Sequence, residues 1–163
     1  SIGRYDEMTR VVDGDTLVIN GKTTVRLWGI DAPELSQTCV RDNGALKVRW
    51  DCGKVARDYL RSFFKLHVKL RCERKLQGFT AGKIPRYHDD YGRTVAVCYA
   101  VNVRGEEHDI ARSLVAAGYA FDWLVYSNGG YATEEAYARR HKLGLWSGTF
   151  DYPWDWRQEH RSK

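Results

Sequence analysis

Between Val11 and Leu35 the chain reads VVDGDTLVINGKTTVRLWGIDAPEL, and it gathers Asp13, Asp15, Asp31 and Glu34 around one arginine, Arg26. Carboxylates that converge repel one another and call for a compensating cation. A donor set of oxygens without His or Cys suits a hard ion, Ca²⁺ or Mg²⁺, completed by waters, a main-chain carbonyl and substrate oxygens. Arginine grips oxyanions through two parallel hydrogen bonds. Arg26, together with Arg93 from a later turn, a metal and a carboxylate base, would supply the parts that phosphodiester hydrolysis requires. Each group alone also has an ordinary role. Asp-Gly-Asp is turn chemistry, Asp31-Ala-Pro-Glu34 can open a helix, and an arginine in a strand can be a solvated charge. The combination is what points to chemistry.

Positioning these groups falls first to a hairpin. Asn20-Gly21 tolerates positive φ at both turn positions and joins two strand-like runs. Residues 13–15 precede the first run and 31–34 follow the second, so the hairpin brings two acidic loops to one end of a small sheet. Residues 36–51 read as a polar loop. Apolar residues at Val55, Ala56, Tyr59, Leu60, Phe63 and Phe64 predict an amphipathic helix over 53–65. HVKLRC alternates as a half-buried strand, and the long connection 73–90 follows it. Asp89-Asp90-Tyr91-Gly92-Arg93 turns into the strand TVAVCYAVNV. A second helix is expected over 108–117, capped by Gly118, and a third from Thr133 to 143–144. The aromatic tail predicts that Trp146 and Trp154 pack on the body. These elements make an α+β domain whose strands could close as a small barrel.

The chain of 163 residues, 43% hydrophobic and 13% aromatic, is long enough for one well-buried core. A single domain over 1–163 is expected, with its motifs in about 10–146 and an aromatic, basic tail over 147–163. Twenty-six Lys and Arg against 21 Asp and Glu leave a formal charge of +5, which favours polyanions. No window of about 18 apolar residues suggests a membrane span. The start, SIGRYDEMTR, lacks the basic beginning and apolar core of a signal peptide, which leaves export open. Cys39, Cys52, Cys72 and Cys98 show no C-x-x-C spacing, so zinc is not expected. Two disulfides are expected, Cys39 with Cys52 across a polar loop and Cys72 with Cys98 between strands, and with them an oxidising, secreted or periplasmic setting. Four buried thiols would be the cytosolic alternative.

D-G-D-T at 13–16, V-R-L-W-G-I-D-A-P-E at 25–34, D-Y-G-R at 90–93 and G-L-W at 144–146 occur in the order found in staphylococcal nucleases. The chain resembles that family from about Arg10 to Trp146. The resemblance implies a five-stranded OB-type β-barrel with three α-helices, and Ca²⁺-dependent hydrolysis of DNA and RNA that leaves 3′-phosphates. It implies Asp15 and Asp31 as Ca²⁺ ligands, the Ala32 main-chain carbonyl as a third donor, and Asp13 as a nearby acid. Glu34 would be the general base, and Arg26 and Arg93 the clamp on the scissile phosphate. Tyr91 and Tyr126 fall where the family contacts the terminal phosphate or base.

Three departures stand out. Ala32 replaces a threonine, Leu124 stands where a second stacking tyrosine is expected, and the 73–90 segment and four cysteines are additions. Trp123 or Phe121 could take over the stacking. A monomer without protein partners is expected. The rivals are a non-catalytic OB-type domain binding nucleic acid or protein, and a glycosidase with two carboxylates, which would leave the paired arginines unexplained.

Overall fold

The computed structural model describes residues 9–66, 69–77 and 84–161. β-Branched residues alternating with turn residues build a meander first: β1 (Arg10–Asp13), β2 (Thr16–Ile19) and β3 (Thr23–Leu27) pair antiparallel. Asn20 and Gly21 both take positive φ, 53° and 66°, and the Lys22 N–H closes the turn on the Ile19 carbonyl at 3.0 Å. The β1–β2 register shifts between Val11 and Asp13, a bulge that re-aims the acidic side chains. A Cβ on Gly14 would come within 2.7 Å of the Ala32 Cβ and 2.9 Å of the Ala56 Cβ. The glycine of the Asp-Gly-Asp motif is therefore dictated by packing between the two acidic loops.

β4 (Ile30–Asp31) carries the second loop, and β5 (Cys39–Asn43) and β6 (Leu46–Trp50) form a hairpin where the sequence suggests a polar loop. Leu46, Val48 and Trp50 do alternate with Lys47 and Arg49, but Leu46 and Val48 face solvent, so this short period marks no buried face, and the polar, Gly-containing stretch around it reads as a loop. The Cys39–Cys52 disulfide, with Cα atoms 5.7 Å apart, ties this hairpin to α1 (Cys52–Leu66). β7 (Lys69–Arg74) then pairs antiparallel with β8 (Thr94–Val101), and Cys72 stands directly opposite Cys98 in the second expected disulfide. His67 and Val68 of the expected strand and residues 78–83 of the long connection lie outside the described residues. The rest of that connection is pinned by bridges from Gln77 to Arg86 and from His88 to Thr94.

β9 (Glu107–Asp109) pairs with β8 and leads into α2 (Ile110–Ala116), whose Asp109 carboxylate caps the Arg112 N–H. β10 (Phe121–Asp122) pairs with β4, and α3 (Leu124–Ser127) and α4 (Ala132–Arg140) follow. A 3₁₀ turn over Gly144–Ser147 leads into β11 (Gly148–Thr149), which joins β5, and α5 (Pro153–Glu159) ends the described chain.

The protein is thus a mixed α+β structure. Its main sheet runs β1-β2-β3-β8-β7, with β9 on β8, and among the described residues no pairing links β7 back to β1. The expected closed five-stranded barrel is not seen there, and five α-helices replace the expected three. The additional helices, α3 and α5, have four and seven residues, too short for a 3.6-residue period to register in aromatic sequence.

Among the described residues two buried clusters result. One is aliphatic, built on Leu17, Val25, Leu27, Leu60, Leu70, Ile110 and Leu114. The other gathers Phe121, Leu145 and the Cys39–Cys52 bridge, with Trp50, Trp146, Phe150 and Trp154 packed against them, as expected for Trp146 and Trp154.

Candidate active site

The bulge at the β1–β2 turn and the short strand β4 set Asp15 and Asp31 side by side, 5% and 0% exposed. The Asp15 Oδ2 accepts the Ala32 N–H at 2.8 Å, and its Oδ1 accepts the Thr16 hydroxyl at 3.0 Å. Asp13 Oδ1 in turn accepts the Asp15 N–H at 3.0 Å. Arg26 reaches both aspartates from β3, with Nη2 at 3.3 Å from Asp15 and 3.2 Å from Asp31, while Nη1 donates to the Leu27 carbonyl at 2.8 Å. Buried to 8% exposure, it is no solvated strand charge.

Burial, then the charge of Asp15, pushes the Asp13 carboxyl up to about 8. Burial likewise raises Asp31 to about 6, against hydrogen bonds from Arg157 that pull it down and Asp15 that pushes it up. Both shifts arise chiefly because the carboxyls are withdrawn from water, with the neighbouring Asp15 charge adding to it.

Glu34 follows on a loop fixed from three sides. Its N–H donates to the Gln37 Oε1 at 3.2 Å, and the Gln37 Nε2 donates to the Asp151 carbonyl at 2.7 Å. A Cβ on Gly53 would sit 1.9 Å from the Glu34 carbonyl oxygen, so only glycine lets α1 start this close. The Glu34 carboxylate is bound by a residue the sequence reading does not single out, Arg157 of α5. Its Nη1 donates to Glu34 Oε1 at 2.9 Å and to Asp31 Oδ1 at 3.0 Å, and its Nη2 to Asp31 Oδ2 at 2.7 Å. Arg157 lies 126 residues from Asp31. No local spacing could reveal the contact, although the aromatic tail around it signals docking. Gln37 and Gly53 were equally silent, being unremarkable loop residues by type.

Arg93 stands apart from the carboxylates. Its Nε bonds Asp89 Oδ2 at 2.6 Å, and Asp89 Oδ1 accepts the N–H groups of Tyr91 and Arg93, each at 2.9 Å. Burial works to raise the Asp89 carboxyl, and the hydrogen bonds from Arg93 and Tyr91 outweigh it and hold it below its ordinary value. The Arg93 guanidinium lies 5.3 Å from the Tyr91 ring centroid. Arg93, Tyr91, Arg26, Tyr126, Trp28 and Trp123 share one cavity of about 150 Å³. Arg26 is therefore the hinge of the arrangement, touching the aspartates on one side and facing the cavity of Arg93 on the other. Tyr91 and Tyr126 line it from exposed positions. Phe121 is fully buried and offers no face for stacking, whereas Trp123 carries Arg26 and Arg157 over its ring at 5.6 and 5.5 Å. Leu124 is 65% exposed, outside the cavity lining.

As donors, the carboxylates of Asp15 and Asp31 and the Ala32 carbonyl fit a hard cation in kind. Among the described residues, however, no group of three or more His, Cys, Asp and Glu is arranged as a ready metal cage. Waters and substrate would have to complete the shell.

Residues 24–148 match the family described as Staphylococcal nuclease homologue. The chain is 34% identical over 136 residues to the succinoglycan biosynthesis protein ExoI of Rhizobium meliloti (strain 1021), covering 83% of this chain and 61% of that protein. It is 31% identical over 164 residues to the micrococcal nuclease of Shigella flexneri, covering 93% and 79%. It is also 27% identical over 150 residues to the probable staphylococcal-like nuclease CAN2 of Oryza sativa subsp. japonica, covering 91% and 33%. The chain thus spans less than two thirds of ExoI and a third of CAN2. With the family match over most of its length and 79% of the micrococcal nuclease covered at 31% identity, the chain belongs to the staphylococcal nuclease homologue family.

Proposed function

We propose that this protein is a Ca²⁺-dependent, sugar-nonspecific nuclease that cleaves DNA and RNA to 3′-phosphate products. The single observation that carries the proposal is the buried Arg26, bonded to Asp15 and Asp31 while facing the cavity that Arg93 lines. Asp15, Asp31 and the Ala32 carbonyl would hold the ion, which when bound would polarise a phosphoryl oxygen. Arg26 and Arg93 bind the scissile phosphate from within the cavity and stabilise the charge that grows on its equatorial oxygens. Glu34 takes the proton of the attacking water as the new P–O bond forms. The P–O5′ bond breaks, and the leaving oxygen, its charge eased by Arg93, takes up a proton from water. Asp13 keeps the Asp15 backbone in place, and Tyr91, Tyr126 and Trp123 offer faces to base or terminal phosphate. Within the same proposal, the ladder β1-β2-β3-β8-β7 is the strand set of an OB-type barrel, carried by one domain acting as a monomer. The two disulfides suit an oxidising, extracytoplasmic environment, and secretion or a periplasmic site accords with them. No helix among the described residues is long and apolar enough to cross a membrane.

Cleavage of single-stranded DNA and of RNA, measured with Ca²⁺, with EDTA and in Glu34→Gln, tests this. Expected is turnover with Ca²⁺ only, falling by roughly 10²- to 10⁴-fold in the variant. Equal rates in all three would overturn it. One observation favours the non-catalytic alternative: Arg157 already occupies both Asp31 and Glu34. Tight, metal-independent binding of nucleic acid without turnover would establish that reading.

A further inference from the structure

Arg157 enters the site on a docked element. Pro153 is buried at the first turn of α5, Trp154 stacks on Tyr152 with ring planes 10° apart, and the Asp151 carbonyl is held by Gln37. Trp154 also lies parallel to Trp123, whose ring carries the Arg157 guanidinium. The side chain is thus delivered to the carboxylates by a packed helix.

There it engages the oxygens a metal would need. Arg157 bonds both Asp31 oxygens at 2.7 and 3.0 Å, Arg26 shares Oδ1, and Asp31 retains 1% side-chain exposure. Ca²⁺ binds carboxylate oxygen at about 2.3 to 2.6 Å. Arg157, unlike Arg26, spans both Asp31 oxygens, so an ion arriving there meets a carboxylate already gripped on both sides and a second cation beside it in a poorly solvated pocket, which sets guanidinium and ion in competition.

We propose that Arg157 is a tethered competitor of the divalent ion, an affinity-determining residue of the metal site that must leave Asp31 before the ion is bound. This rests on Asp15 and Asp31 being the metal ligands. The tail helix then sets how much Ca²⁺ the protein needs, while the ligands themselves stay the same.

Calorimetric titration of the full chain with Ca²⁺, and tryptophan-sensitised Tb³⁺ luminescence, compare the native protein with Arg157→Gln and Arg157→Lys. Expected is binding roughly tenfold or more tighter in Arg157→Gln, with Arg157→Lys returning most of the way to native affinity because the charge is restored. Where the Gln variant fails to fold by circular dichroism, Arg157→Met keeps an apolar stem against Trp123 and carries the same expectation. Unchanged or weaker binding in the neutral variants overturns the proposal, and if Ca²⁺-dependent cleavage persists the nuclease reading survives it. Absence of Ca²⁺ binding in native and variant chains alike overturns both.

Discussion

The aliphatic cluster and the aromatic cluster do different work. The aliphatic one, around Leu17, Leu27, Leu60 and Leu114, joins the main sheet to α1 and α2 and contributes no charged group to the site. The aromatic one, around Phe121 and the Cys39–Cys52 bridge, packs the tail beside the Glu34 loop and, through α5, places Arg157 on the carboxylates. One cluster decides whether the chain is folded. The other decides where Glu34 and Arg157 stand once it is. Stability and activity should therefore be separable by choosing which cluster to damage.

The largest stability effect is expected from Leu17→Ala, at a fully buried position among β-sheet side chains. Loss of about 2 to 5 kcal/mol in urea unfolding is expected, with cleavage per folded molecule unchanged. A parallel fall in specific activity would break the division. Replacing Cys39 and Cys52 together with serine should cost less, about 2 to 4 kcal/mol, because their loop is short at a separation of 13 residues. Here specific activity should fall as well, since the bridge joins the hairpin after Glu34 to the start of α1. A native rate per folded molecule would show that Gln37 and Gly53 hold the loop unaided.

The third effect sits at the candidate site itself and is read as a slope against pH, vanishing at acid pH. Asp13 titrates near 8 when folded against 3.8 ordinarily, so the folded state binds the extra proton between those values. Its contribution is fully present below about pH 4 and is lost as pH rises through about 8. Asp13→Asn should match the native protein near pH 3 and exceed it by a margin that grows by about 1 kcal/mol per pH unit between about 4 and 8, and stays at that level at pH 9. Urea midpoints at the two pH values check this, and a constant difference would refute it.

Much of the candidate site's clustering was legible because its members lie close in sequence or carry turn signals. Asp13, Asp15, Arg26, Asp31 and Glu34 occupy one stretch, and the Asn20-Gly21 turn folds it back as expected. Arg93 and Tyr91 were marked by a tight turn. Both disulfides were legible as well, one from a loop it could close and one from two facing strands. What stayed hidden depends on tertiary placement. The β5–β6 hairpin carries a brief alternation at Leu46, Val48 and Trp50 that fronts no buried face and is lost in a polar, Gly-containing stretch, α3 and α5 are too short, and Arg157 is a polar residue in a tail whose partner is far away in sequence. Phe121 looked like a stacking aromatic by type, and only packing reveals it as core.

The parallel pairing of β3 with β8 sets Arg26 opposite Val95, two residues past Arg93. Parallel neighbours need a long crossover, and here everything between residues 28 and 93 must be accommodated before that ladder forms. Contacts so distant along the chain form slowly, since the entropy of closing the intervening loop is lost before any pairing compensates it. The acidic hairpin can form within its own few residues, well ahead of the two arginines that complete it. During refolding, then, hydrogen-exchange protection should reach β2 and β3 before β8, and before β4 and α5, whose partners are likewise distant along the chain.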